Sequence, residues 1–296
     1  MSSLQESGPI RREEAAPAGA NAILRAALSS IPAWLAAVVM MCVVAMAVFA
    51  PLIATANPTA IAPAERLLGP TSAHFLGTDA LGRDTFSRIV YGSRLSLTVG
   101  AGVTVFSVAL GLVVGVFAGY FRAFDMVIMR VMDGLMAIPG ILLAIALIAL
   151  TGASLATVLV AITVPEVPRV VRLVRGVILS VRSEDFVEAA ITLGSPIRRI
   201  LWRHLIPSTV APLTVQATFV FASAVLTEST LSFLGAGIPS EIPSWGNMMA
   251  DGRMYFQLKP GLIFFPGFAL AMTLLSVNII GDVLRDRLDP KMEKRA

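Results

Sequence analysis

Residues 183–207 read SEDFVEAAITLGSPIRRILWRHLIP, and they lie between two long apolar stretches of the chain. The first half predicts a short helix over 186–193, with Ser183 as its N-cap and acidic residues in its first turn. Gly194 fits the position just past the end of that helix, where a left-handed backbone is needed. The stretch therefore begins with a short, well-delimited helix and a tight turn.

The second half of the stretch predicts another helix. Ser195 is suited to cap this helix, and Pro196 to occupy its first position, where a missing N–H costs nothing. We expect the helix to end near Ile206, because Pro207 follows. Its apolar stripe consists of Ile197, Ile200, Leu201 and Leu205, and its arginines lie off that stripe. From the residues alone, a rigid helix–turn–helix and an Arg-rich pair of helices lying on anionic lipid are both valid interpretations.

The composition around this stretch excludes a soluble protein. Of 296 residues, 56% are hydrophobic and only 14% are charged, whereas soluble domains carry about 25% charged residues. The chain is also far too apolar to be disordered. The single cysteine, Cys42, excludes an intramolecular disulfide. In a membrane protein, a net charge of +4 reflects loop orientation, and we expect no nucleic-acid partner.

Apolar runs long enough to cross a membrane recur along the chain. A transmembrane helix needs about 20 mostly apolar residues. Six runs meet this need: 33–54, 95–119, 127–150, 155–171, 210–226 and 261–280. The expected fold class is therefore an all-α, polytopic membrane protein with six transmembrane helices. Pro139 and Gly140 predict a kink in the third of these spans.

Charge asymmetry orients the expected bundle in the lipid bilayer. Most of the 23 lysines and arginines fall in segments that share a side with both termini, which the positive-inside rule assigns to the cytoplasm. The expected organisation is a cytoplasmic tail over 1–32, a transmembrane domain over 33–281 and a second cytoplasmic tail over 282–296. Two long outer segments, 55–94 and 227–260, have a size typical of loops that dock a partner or form a lid.

The stretch 183–207 resembles the EAA loop of the permease subunits of ABC importers. The family pattern is E-A-A-x3-G-x9-I-x-L-P, and the residues that carry the resemblance are Glu188, Ala189, Ala190, Gly194, His204 and Pro207. The last four positions match most loosely, with His204 and Ile206 as replacements. In that family the loop seats in a groove of an ATPase subunit, so the resemblance implies that these residues couple the chain to an ATPase.

Further motifs, which together cover about residues 74–290, resemble the C-type permease subunit of the dipeptide/oligopeptide/nickel family. The resemblance implies outer-loop and gate roles for Gly77, Asp79, Gly82, Arg83, Asp84, Glu228, Trp245 and Gly246. A C-terminal signature includes Asn278, Asp282, Arg285 and Asp289. Glycine and aspartate also form ordinary turns, and the C-terminal signature is also typical of a structural brace at a helix end. Before Arg172 the family often shows aromatic residues, where this chain has Val167 and Val170.

The resemblance implies a type I ABC-importer permease fold in a bacterial inner membrane. The implied function is the permease subunit of an ATP-driven importer of di- or oligopeptides. The implied partners are a second, homologous permease, two ATPase subunits and an extracytoplasmic substrate-binding protein. A permease for nickel or another small solute is the alternative within the family. An ion-coupled secondary carrier is the alternative from another class, although no inverted repeat is visible in the sequence.

The chain itself offers no catalytic chemistry. It has no GxxxxGK[ST] run, so ATP and Mg²⁺ are expected on the ATPase partner, and no cofactor on this chain. Its two histidines, His74 and His204, are too few and too distant in sequence to indicate a metal site.

Four charged residues fall in or near the predicted spans: Arg130, Asp133, Glu166 and Glu228. Each costs about 2.5–3.5 kcal/mol at the centre of a membrane helix, so we expect them to face the bundle, a cavity or the interface. Arg130 and Asp133 are three residues apart, and their spacing predicts an ion pair on one helix face that braces the helix.

Overall fold

The computed structural model describes residues 30–288, and this part of the chain is built from helices without a named β-strand. The all-α prediction is confirmed. Asp289 and most of both predicted tails lie outside the described residues. The helices are α1 Ile31–Val48, α2 Ala50–Ile53, α3 Thr85–Tyr120, α4 Arg122–Ala137, α5 Gly140–Thr151, α6 Leu155–Arg182, α7 Asp185–Thr192, α8 Ile197–Ile200, α9 Ile206–Phe233, α10 Trp245–Gly252 and α11 Gly261–Leu288.

Helix α3 makes the two most extensive helix–helix contacts in the described part of the chain, one with α6 and one with α9. Against α6, α3 presents three glycines one turn apart, Gly111, Gly115 and Gly119, which face Val170, Val174 and Ile178. A Cβ atom on Gly115 would lie 2.7 Å from the Val174 Cβ. Small residues at this spacing let two membrane helices approach closely, so that van der Waals contact replaces the missing hydrophobic drive.

The remaining helices close the bundle around this pair. Helix α9 packs between α3 and α11, and α1 packs against α11 and α3. Two connecting segments lie together at one end of the bundle, and we call them the cap. They are residues 54–84, which are mostly irregular, and residues 234–260, which include α10. The helix–turn–helix 183–205 connects α6 to α9 at the other end, which we call the loop end.

The structure divides the predicted span 127–150 into two helices. Helices α4 and α5 meet at an angle of 89°. Ile138 is extended, as expected for a residue before proline, and Pro139 is the N-cap of α5. The predicted kink is thus a sharp break.

Within residues 30–288, four helices qualify as membrane spans by length and composition, or five if the bent pair is counted as one span. Helix α6 is not among them, because Glu166, Arg169 and Arg172 all fall within its first 18 residues, and beyond the predicted span 155–171 it continues into an arginine-rich half that ends at Arg182. The count of six spans stays a prediction. Because several of its helices are long and apolar enough to cross a membrane, the chain is nevertheless a multi-pass membrane protein.

The predicted stop at Pro207 is wrong. The chain continues as one helical rod from Ile197 to Phe233, with a π-helical turn at Leu201–Leu205. A π turn widens the helix and accommodates the ring and the missing N–H of a proline just beyond it. Helical continuity through Pro207 means that the loop end and the cap are joined by a single element.

The predicted capping residues are also shifted. Glu184, not Ser183, is the N-cap of α7, because the Ser183 hydroxyl donates back to the Ser180 carbonyl at 2.8 Å. Pro196 lies at the N-cap of α8, and Ile197 is its first residue.

The glycine stripe of α3 offers a direct test of the fold. Gly115→Leu is expected to lower the free energy of unfolding by more than about 2 kcal/mol, because the new side chain overpacks the contact with α6. Thermal unfolding of the detergent-solubilised chain measures the effect. Gly134→Ala is the matched control, since no atom lies within 4 Å of its Cβ position. Equal stability of the two variants would contradict the packing described here.

Candidate functional site at the two ends of the bundle

The turn of the loop end has the left-handed geometry that the sequence predicts. Gly194 has φ +75°, and no atom lies within 4 Å of the position that a Cβ atom would occupy. Its N–H donates to the Ile191 carbonyl at 2.9 Å, and the N–H of Ser195 donates to the Ala190 carbonyl at 3.0 Å. These bonds close α7 in the manner of a helix that ends at glycine.

The loop end presents an apolar surface away from the bundle. Its attachment is made by three buried side chains, Val187, Ile200 and Leu205. The same helix–turn–helix carries five exposed apolar side chains, which we call the loop patch: Phe186, Ile191, Leu193, Ile197 and Trp202. Leu193, beside the turn, is 85% exposed. Large exposed apolar side chains gathered on one short element are typical of an interaction surface.

The motif residues of the loop lie on the same stretch of chain as this patch. Glu188 and Ala189 are exposed, and Ala190 is half-buried. His204 is half-buried, and its ring lies 5.8 Å from the Phe186 ring, which ties α7 to the π turn. Pro207 is exposed at the start of α9. The structure thus brings the six motif residues onto one short element.

At the other end, the cap is held by a buried charge network. Asp79 accepts hydrogen bonds from the N–H groups of Leu81 and Arg83 at 2.8 and 2.9 Å, and from the Arg83 Nε at 2.6 Å. The Arg83 Nη2 reaches Asp251 at 2.8 Å and so connects the two halves of the cap. Arg88, 1% exposed, lies within 3.8 Å of both carboxylates. Buried charges that pair in this way are costly to break.

A second cluster fixes the entrance to α3. The carboxylate of Asp84 caps α3 by accepting from the Ser87 N–H at 2.8 Å, and its Oδ1 lies 2.8 Å from the His74 Nδ1. The His74 Nε2 lies 3.3 Å from the Glu65 carboxylate. The hydrogen bond to Asp84 raises the pKa of His74, against the smaller effect of burial. Burial opposes ionisation of Asp84, but the hydrogen bonds that it accepts outweigh this and lower its pKa.

The predicted gate residues of the C-terminal half are packed inside this end of the bundle. Trp245 is fully buried, and its indole N–H donates to the Ile89 carbonyl at 3.1 Å. Gly246 lies so close to α9 that a Cβ atom would be 2.5 Å from the Ser229 carbonyl. Glu228 is fully buried in α9 and accepts from the Ser232 hydroxyl at 2.9 Å. Gly77 and Gly82, both with positive φ, turn the chain around Asp79.

The predicted pair of Arg130 and Asp133 is not formed. Asp133 instead accepts from the Arg172 Nη2 on α6 at 2.8 Å, and Arg130 is exposed without an ion pair among residues 30–288. Helix α4 runs beside α6, so an arginine reaching across from α6 competes successfully with one on the same helix.

Two further pairs follow along α6. Arg175 binds Asp125 of α4 through Nε and Nη2, at 2.5 and 2.7 Å. Arg169 donates from Nη1 to Glu166 at 2.9 Å, and the Ser223 hydroxyl of α9 donates to the same carboxylate oxygen at 2.8 Å. Sequence reasoning missed these partners, although the three-residue spacing of the arginines was a visible signal.

The C-terminal motif is less closely engaged. Asn278, Asp282 and Arg285 are exposed along the last turns of α11, and no ion pair of theirs is seen in the described part of the chain. The neighbouring Gly281 is buried against Thr218 of α9. Their bracing role therefore stays a prediction.

Comparison with known sequences matches residues 107–294 to the family described as "Binding-protein-dependent transport system inner membrane component". A probable peptide ABC transporter permease of Sinorhizobium fredii is 49% identical over 84% of this chain and 86% of its own length. The dipeptide transport system permease DppC of Alkalihalophilus pseudofirmus is 43% identical over 84% of this chain and 82% of its own. The glutathione transport system permease GsiD of Pectobacterium atrosepticum is 38% identical, with coverages of 76% and 75%.

A solved structure shares the fold. The structure described as inward-facing conformations of the MetNI methionine ABC transporter contains a chain that superposes with a TM-score of 0.58 at 20% identity. The superposition covers 69% of this chain and 97% of the other. The predicted type I importer permease architecture is confirmed at the level of the fold.

The His74 cluster predicts a pH-dependent cap. Because the folded-state pKa of His74 is raised, its contribution to stability is complete below the ordinary value of 6.5 and is lost as the pH rises through the raised value. Asp84, with a lowered pKa, stays ionised throughout this window. Thermal unfolding from about pH 5.5 to about pH 9 is expected to show wild type losing up to about 1 kcal/mol relative to His74→Gln. A difference between the two proteins that does not change with pH would contradict this role.

Proposed function

This chain belongs to the family of binding-protein-dependent transport system inner membrane components, and from that premise we propose that it is the permease subunit of an ATP-driven peptide importer. The loop patch is the observation that carries the proposal. An exposed apolar surface on a short helix–turn–helix, outside the spans, is suited to seat in a groove of a soluble subunit. The family resemblance assigns the same element to contact with an ATPase.

The proposed orientation places the loop end in the cytoplasm and the cap outside. The loop end carries Arg182, Arg198, Arg199 and Arg203, and α11 ends near the first turns of α9 with Arg285 and Arg287. Such a concentration of arginine at short connections favours the cytoplasmic side. The cap then faces the extracytoplasmic substrate-binding protein, for which its two irregular segments offer a preformed, ion-paired platform.

The mechanism follows from the continuity of the helix between the two ends. In the proposed complex, two ATPases hold ATP and Mg²⁺, and closure of their dimer displaces the loop patch. The rod Ile197–Phe233 is 37 residues long, or roughly 55 Å at 1.5 Å per residue. Its far end carries Glu228 and packs on Trp245 and Gly246 of the cap. A push at the loop end is therefore delivered to the cap through one continuous helix, in which the π turn and Pro212 are the points where the helix can bend.

The last turn of α6, at the loop end, is fastened to α3. Arg182 donates to the Tyr120 carbonyl at 2.7 Å and lies over the Tyr120 ring, so the ends of α3 and α6 are fastened together beside α7. Two such permeases, this chain and a second, homologous one, would rock about a central path between inward-open and outward-open states. This chain supplies no catalytic residue to the cycle.

Peptides are the proposed substrate class, because the relatives named above are described as peptide, dipeptide and glutathione permeases. Uptake of labelled dipeptide by a strain that lacks this gene, with and without a plasmid copy, tests the proposal. Restored uptake of dipeptide supports it. Restored uptake of nickel alone, or uptake by the purified chain without an ATPase, would replace it with the corresponding alternative.

The turn at Gly194 predicts the behaviour of a coupling variant. Gly194→Val is expected to lower ATP-dependent uptake at least about tenfold, because a β-branched residue is strained at positive φ and misplaces Leu193 and the rest of the loop patch. Gly194→Asn is the matched control, since asparagine tolerates this backbone conformation. Uptake and co-purification of the ATPase with both variants provide the measurement. Normal uptake by the valine variant would contradict a role of this turn in coupling.

A further inference from the structure

Three charged side chains lie on a surface of the bundle where lipid would be a poor neighbour. Arg169 and Arg172 of α6 are 55% and 48% exposed, and Asp133 of α4 is 59% exposed. At 1.5 Å per residue, Arg169 lies roughly 21 Å and Arg172 roughly 26 Å from the cap-side start of α6. Both values fall inside the roughly 30 Å thickness of a hydrocarbon core.

The directions of these side chains exclude snorkelling toward the loop end. Arg169 reaches back by one turn to Glu166, whose side chain is only 7% exposed, and thus toward the middle of the membrane. Asp133 is eight residues beyond Asp125 on α4, or about 12 Å, whereas Arg172 precedes Arg175 by only three residues on the antiparallel α6. Arg172 therefore also leans away from the loop end. Long basic side chains in contact with lipid normally lean toward the headgroups, so neither arginine has the direction typical of a lipid-facing residue.

The three arginines differ in how many of their N–H donors are used. Arg175 makes two hydrogen bonds to its acid, whereas Arg169 and Arg172 make one each among the described residues. Arg175 engages Asp125 through two nitrogens, which uses its planar fork fully. Arg169 and Arg172 each make one side-chain hydrogen bond among the described residues. A guanidinium carries five donors. Both groups thus have donors to spare on their exposed side.

The same level of the bundle has an apolar, lipid-compatible surface on α3. Gly111 and Gly115 of α3 pack against Val170 and Val174 of α6, so Val113 lies at the depth of Arg172. Val113 is 56% exposed, as much as the arginines. The polar character of the α6 surface is therefore local to one side of the bundle, and depth does not explain it.

We propose that Arg169, Arg172 and Asp133 line the polar path of the importer, and that the two guanidinium groups receive the terminal carboxylate of the passing peptide. The assignment of the ligand rests on the proposed peptide substrate. Asp133 and Glu166 are positioning residues, which hold each arginine and neutralise it between transport events. A carboxylate that binds the remaining N–H donors of Arg172 or Arg169 leaves the bond to Asp133 or Glu166 in place, so passage breaks neither ion pair.

Thiol labelling tests the path independently of the substrate. The only cysteine of the chain is Cys42, so Cys42→Ser provides a cysteine-free background. In the assembled importer, Arg172→Cys and Arg169→Cys are expected to react with a charged, water-soluble methanethiosulfonate. Val113→Cys, at the same depth, is expected to react at least about tenfold more slowly, because the thiolate does not form in lipid. Equal rates at all three positions, or protection of both arginine positions throughout, would overturn the path.

Charge variants test the recognition of the carboxylate. Arg172→Gln is expected to lower the initial rate of dipeptide uptake about tenfold, the loss typical of one charge-assisted hydrogen bond, while the complex with the ATPase still assembles. Arg172→Lys keeps the charge and is expected to recover part of the rate. The double swap Asp133→Arg with Arg172→Asp restores the ion pair but presents a carboxylate to the substrate.

The swap distinguishes a path residue from a structural brace. If Arg172 only braces α6 against α4, the swap restores uptake, and that result would overturn the proposal. If it receives the substrate, uptake stays low although the complex is stable. If the cysteine variants label as expected but the wild-type importer takes up no dipeptide, the proposed substrate is refuted and the path itself is left intact.

Discussion

The close approach of α3 and α6 is the constraint on which the rest of the structure depends. Three glycines let the two backbones approach closely. In lipid no hydrophobic effect draws helices together, so a looser fit would lose the van der Waals contact that holds this pair. This contact fixes the rotation of α6 about its own axis. Once Val170 and Val174 face α3, Arg169 and Arg172 must point elsewhere, and Arg182 meets the end of α3 at Tyr120. Packing and charge placement are thus two consequences of one helix pair.

The two ends of the bundle are held together by different interactions. The cap is rigid through buried ion pairs, in which Arg83 joins Asp79 to Asp251 across its two segments. The loop end is held by only a few buried apolar side chains and exposes its larger ones. A surface of exposed apolar groups is suited to docking, whereas a network of paired charges resists deformation. The continuous rod Ile197–Phe233 allows motion at the first to be felt at the second.

Composition and local motifs predicted the helical class and the left-handed turn at Gly194, because both depend on neighbouring residues. The stop at Pro207 and the pair of Arg130 with Asp133 were wrong for one reason: each was decided by tertiary context. A π turn absorbs the proline, and Arg172 from another helix takes Asp133. The burial of Arg88 and Trp245 was equally beyond local reasoning, since it arises where the two cap segments meet. Spacing indicates which residues are able to pair, but only packing selects among them.

In the proposed path, the exposed ion pairs on α6 and α4 reconcile two demands on a permease. A path for zwitterionic cargo needs charges, and a membrane helix avoids them unless they are neutralised. Pairing each arginine with its own acid meets both demands, because the pair is neutral at rest and still offers donors to an arriving carboxylate. Because Glu166 is buried and Arg169 is exposed, the side of this pair that is accessible to an arriving carboxylate is the guanidinium group. The arrangement favours a low barrier over tight binding, as transport requires, since a site that held its cargo strongly would release it slowly.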